Sequence, residues 1–107
     1  MLIEIFDVAH IKKSAGVYRF NMRVMSADGR PLMSVHGFRY DRNGQDILAP
    51  NGFRFTSVAT VTHPRLRESV MSGLDELIDR ATGSDGDEIM RAARIPVYTD
   101  VKDLKES

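Results

Sequence analysis

The chain contains no cysteine. Disulfides, thiolate nucleophiles and cysteine zinc sites are thereby excluded, and the composition fits a reducing compartment. No apolar run approaches the roughly 20 residues needed to cross a bilayer. The first stretch, MLIEIFDVAH, has no basic n-region and is interrupted by Glu4 and Asp7, unlike a secretory signal. A cytoplasmic protein without membrane partners is expected. Catalytic signatures are also missing: there is no HExxH, no glycine-rich phosphate loop with a following Lys-Ser/Thr, and no GxSxG elbow. The histidines at positions 10, 36 and 63 are too scattered to define a metal site by spacing. The sequence therefore predicts a non-enzyme with no catalytic residues, no metal and no cofactor.

What is present suffices for one ordinary core. With 107 residues, 42% of them hydrophobic, a single domain spanning 1–107 is expected, with its core in 2–83 and a C-terminal extension in 84–107. A lone domain of this size is modestly stable, which favours self-association. The formal net charge of zero conceals a segregation. Residues 10–67 carry ten Lys or Arg against three acids, whereas residues 68–107 carry ten acids against five bases. Such bipolarity points to an anionic partner at one end or to complementary self-association.

The pattern along the chain is that of an α+β protein. Residues 2–11 are rich in Ile, Val and Phe and read as a strand. VYRFNMRVM (17–25) alternates with period 2, Asp28-Gly29 signals a two-residue hairpin turn, and 32–40 forms the returning strand. A two-residue loop pairs Met22 with Val35, Arg23 with Ser34, Asn21 with His36 and Arg19 with Phe38. Phe20, Met22, Val24, Met33 and Val35 then share the core face, with Gly37 opposite Phe20. Arg19, Asn21, Arg23, Ser34, His36, Phe38 and Tyr40 line the other face. ILAP (47–50) is a short apolar strand ended by proline, and FRFTSVATVT (53–62) is strongly β-prone. From Pro64 the period changes. Leu66, Val70, Leu74, Leu77, Ile78 and Ala81 form one apolar helical stripe, Gly83 suits the C-cap, and Glu68, Ser72, Asp75, Glu76 and Asp79 form a solvated face. A short helix near 87–94 and an extended segment at Ile95–Tyr98 follow. The expected architecture is thus an antiparallel sheet of about five strands with a hairpin, one main amphipathic helix packed on it, and a short C-terminal helix.

A sheet face bearing arginine beside aromatic residues suits nucleic acid. Guanidinium groups neutralise phosphates and rings stack on unpaired bases. The candidate residues on this basis are Arg19, Arg23, His36, Phe38 and Arg54. The alternative is that the aromatics face a helix or a partner subunit, with the arginines at the rim.

VHGFRY (35–40), then Gly44 and ILAP (47–50), then THPRLRESV (62–70) resemble, in that order, motifs of the stage V sporulation protein G (SpoVG) family of bacterial regulators. The similar region covers roughly residues 5–80. It departs from the family pattern at Gly37, where an acid or amide is usual, in a tighter spacing at the helix start, and after Gly83. The resemblance implies a homodimer that binds DNA, and in some members RNA, as a regulator. It also implies binding by basic residues around the helix, which adds Arg65 and Arg67. A homo-oligomeric protein-interaction module without nucleic-acid binding is the alternative.

Overall fold

The computed structural model describes residues 2–48, 50 and 64–98. These form β1 (Leu2–His10), β2 (Val17–Met25), β3 (Pro31–Asp41), β4 (Asp46–Leu48), α1 (Pro64–Arg80), α2 (Gly86–Ala92) and β5 (Arg94–Tyr98). The strands make one five-stranded antiparallel sheet in the order β4-β3-β2-β1-β5. The expected fold class is therefore observed, but its fifth strand is β5, which pairs along β1. The β-prone segment 53–62, with Arg54, lies outside the described residues. Residues 86–98, expected as an extension, contribute β5 and the buried Met90 and Val97 to the core.

Both helices cover one face of the sheet. Leu66, Val70, Leu74, Leu77 and Ile78 of α1 are buried against Ile3, Ile5, Phe20, Met22, Val35 and Ile47, as the 3.6-residue spacing predicts. Gly73 lets the helix lie close to β5, since a Cβ there would stand 2.8 Å from Ile95 Cγ2. Gly83 has φ +104 after the last turn of α1, a value that favours glycine.

The hairpin register departs from a two-residue loop in two places. At the tip, Ser26 N–H donates to Arg30 O at 2.8 Å and Gly29 N–H to Ser26 O at 3.0 Å, so Ala27, Asp28 and Gly29 form a three-residue loop with Gly29 at φ +85. A register shift beyond Met25 restores the expected pairs Val24–Met33, Arg23–Ser34 and Met22–Val35. The second shift is at Gly37, whose φ is +96. His36 and Gly37 together oppose Asn21, so Phe20 pairs with Phe38, Arg19 with Arg39 and Tyr18 with Tyr40.

This β-bulge corrects the face assignment. One extra residue inverts the side chains beyond it. Phe38 and Tyr40, expected beside the arginines, are both 0% exposed in the core, and Phe38 stacks on Phe20 with centroids 5.3 Å apart. Arg39 takes their place on the opposite face.

Candidate nucleic-acid interface

The sheet face away from the helices is built from rows of paired strand positions. Arg94, Phe6 and Asn21 form one row, reaching His36 across the bulge, and Pro96, Glu4, Arg23 and Ser34 form the next. Ala9, Arg19, Arg39 and Leu48 form a third. Four arginines thus share the face with Glu4 and Asp7, and the next row beyond Arg39 holds Val17, Asp41 and Asp46. Arg19, Arg39, Arg94 and His36 are exposed.

Phe6 organises the centre. The Arg23 guanidinium carbon lies 4.5 Å from its ring centroid and that of Arg94 5.4 Å. The His36 ring meets it edge-on at 5.8 Å. Such cation–π contacts are worth about 0.5–1 kcal/mol each at exposed sites and fix guanidinium orientation. Phe6 is left 8% exposed, so it supports the cations rather than offering a stacking surface. Arg23 also donates to Glu4 Oε1 at 3.1 Å, which offsets part of its charge. Arg19 and Arg39 have no acidic partner among the described residues.

Asn21 sets the shape of this centre. It is 6% exposed; its Oδ1 accepts from Gly37 N–H at 3.1 Å, and its Nδ2 donates to Asp7 Oδ2 at 3.4 Å. Asp7 has φ +55, inside a second bulge that places Asp7 and Val8 against Phe20. Both neighbours of β2 are therefore bulged beside Asn21, and a single side chain ties the two bulges together.

The expected site residues separate into groups. Arg19, Arg23 and His36 come together on the open face. Phe38 does not, because the bulge turns it into the core, where it presents no ring to a base. Arg54 lies outside the described residues. Arg65 belongs to the first turn of α1, and its side chain is likewise outside them. Arg67 lies on the helix side of the sheet, donating to Asp46 Oδ1 at 3.0 Å and Gln45 O at 2.9 Å. Phe6, Arg39 and Arg94 are the members that sequence reasoning missed. For Arg39 the signal was present, since the apolar alternation 33, 35 resumes at 38, 40 across a glycine.

The acidic face of α1 is not wholly solvated. Asp75 accepts from Tyr40 Oη at 2.6 Å and pairs with Arg42 at 3.3 Å, while Arg42 also reaches Asp79 at 2.6 Å. These contacts lock the turn after β3 to the helix. A recess of about 800 Å³ between α1 and β5 has mixed lining charge, Glu68 and Glu76 against Arg80 and Arg94, so it does not select for anions. Among the described residues no group of three or more His, Asp and Glu side chains converges as a metal site, and no helix is long and apolar enough to cross a membrane. No family model, curated protein or solved structure matches the chain.

Proposed function

We propose that the protein is a non-enzymatic, homodimeric regulator that binds DNA, and RNA in some settings, through the open face of its sheet. The observation carrying this role is the set of four arginines on this face, Arg23 and Arg94 over Phe6 and the cross-strand pair Arg19 and Arg39, the latter two without an acidic partner among the described residues. Arginine on a rigid sheet suits phosphate because its planar fork donates two parallel hydrogen bonds to one oxyanion. The motif order that resembles the SpoVG family points to nucleic-acid binding as well, with basic residues around the helix as the contacts that resemblance implies. Among the described residues Phe38 presents no ring on this face and Phe6 is covered, so His36 is left as the exposed ring beside four arginines, which makes phosphate contact the dominant interaction. The test is a gel shift at low salt with mixed-sequence duplex DNA, single-stranded DNA and RNA. Retardation of at least one at micromolar protein is expected, and failure of all three ends the proposal.

A homo-oligomeric interaction module without nucleic-acid binding is the second reading, favoured by Leu32 on β3 and Leu48 on β4, which are 65% and 54% exposed. Self-association is common to both. Pro96 on the edge strand β5 disfavours strand addition there, so the β3–β4 side is the better dimer surface. Light scattering at tens of micromolar protein, roughly the range in which weak dimers assemble, should give twice the monomer mass; a monomer there removes the dimer from both.

A further inference from the structure

Arg19 and Arg39 face each other directly across β2 and β3. Side chains so placed have Cβ atoms about 4.5–5.5 Å apart, and like charges there are destabilising. Among the described residues no carboxylate neutralises either one, although Glu4 does so for the neighbouring Arg23. The pair does not stand on a flat surface. With Ala9, His10 and Ile11 it lines a recess of about 340 Å³, walled on one side by the end of β1 beyond the Asp7 bulge. A concavity of this size is at the lower end of small-molecule sites.

We propose that this recess is a binding site for a phosphomonoester dianion. Two opposed guanidiniums supply two positive charges and paired forks of donors, which match a terminal phosphate with three free oxygens and nearly two negative charges at neutral pH. A single phosphodiester has two free oxygens and one charge and satisfies one fork, so two backbone phosphates, one on each guanidinium, are needed to match what one monoester supplies. The ligand is either a small phosphomonoester or the terminal phosphate of a nucleic-acid strand. Only the second source rests on the proposed function.

The experiment titrates methyl phosphate and dimethyl phosphate into the full chain at pH 7.5 and low salt, following backbone amide shifts of residues 9–11, 19 and 39. Methyl phosphate should bind about tenfold more tightly than the diester, the effect of one charge-assisted hydrogen bond. Arg39→Gln should weaken methyl phosphate by about tenfold or more. In phosphate-free buffer this variant should melt at or above the wild-type temperature, because a like-charge pair has been removed; methyl phosphate should then raise the wild-type melting temperature alone. Equal binding of the two esters, or methyl phosphate binding unchanged in Arg39→Gln, overturns the site. A second arm compares one oligonucleotide with and without a 5′-phosphate. Tighter binding of the phosphorylated strand, lost in Arg39→Gln, assigns the site to nucleic-acid ends. Binding of methyl phosphate with neither oligonucleotide bound removes the nucleic-acid function and supports a small phosphomonoester as ligand.

Discussion

Asn21 shows how one residue decides what the open face carries. Its carbonyl oxygen satisfies Gly37 N–H at the β3 bulge, and its amide reaches Asp7 at the β1 bulge. Asn21→Ala leaves that N–H without its acceptor, and orphaning a buried donor costs about 1–3 kcal/mol. Urea denaturation should show a loss in that range, and the amide signals of residues 36–39 should move with it. A loss near zero would mean that the bulges hold without Asn21. The faces beyond the bulge have their own test. Phe38→Ala removes a ring that is 0% exposed and stacked on Phe20, so about 3–5 kcal/mol of stability should disappear. Under about 1 kcal/mol in the same measurement would return Phe38 to the open face. The identity of Phe38 as an aromatic strand residue is legible in the sequence, but its face is not. Face depends on a backbone φ that Gly37 permits and Asn21 fixes, and the asparagine lies 16 residues away along the chain.

Elements differ in how openly they declare themselves. The apolar stripe of α1 is legible because local periodicity and burial coincide there. β5 is legible only as extended chain, since its partner is β1 and the pairing Ile95–Ile5 is wholly non-local. The polar side of α1 was the harder part. Asp75 reads as one more solvated acid, yet it receives the hydroxyl of Tyr40, which Gln45 Nε2 also approaches at 2.8 Å. Burial, and then the hydrogen bond to Asp75, push the Tyr40 hydroxyl well above its ordinary value of 10.0. The sign of the consequence follows from proton counting. Above pH ~10 an unfolded tyrosine releases its proton while folded Tyr40 keeps it, so stability is complete below that pH and falls as pH rises, by up to about 1.4 kcal/mol per unit. Tyr40→Phe should lower stability at pH 7 by about 1 kcal/mol through the lost hydrogen bond. It should also flatten the alkaline limb relative to wild type. Parallel limbs in chemical denaturation from pH 9 to 11.5, a range of roughly ordinary tyrosine titration, would show that Tyr40 ionises as readily folded as unfolded.

At the scale of the whole molecule, the bipolar charge visible in the sequence resolves into two surfaces with different electrostatic histories. Arg42 and Arg67 lie in the basic half of the chain, but Asp75, Asp79 and Asp46 hold them. On the open face, Glu4 offsets Arg23, while Arg19 and Arg39 have no acidic partner among the described residues. Counting basic residues therefore overstates the field, and pairing says which ones remain for an anion. If nucleic acid lies on this face, each phosphate neutralised releases condensed counterions, and log affinity falls with log salt by about 0.9 per duplex contact or about 0.7 on a single strand. Arg19→Ala with Arg39→Ala should then reduce the slope by nearly two units, or about 1.8 on duplex. Arg19→Ala with Arg23→Ala should reduce it by less, because the second arginine begins partly neutralised and its loss frees Glu4 to repel the strand. Affinity at low salt should fall in both, with little change in sequence preference, since phosphate contacts carry no base information. Arg65→Ala with Arg67→Ala is the counter-experiment. Arg67 already spends its fork on Asp46 and Gln45, so this pair should alter the slope by about one unit at most, the share of Arg65 alone. Should it abolish binding while both sheet pairs leave slope and affinity unchanged, the basic helix start is the interface. The open face would then be a surface for the second subunit, and Arg19 and Arg39, without an acidic partner among the described residues, would meet carboxylates from that subunit instead of phosphates.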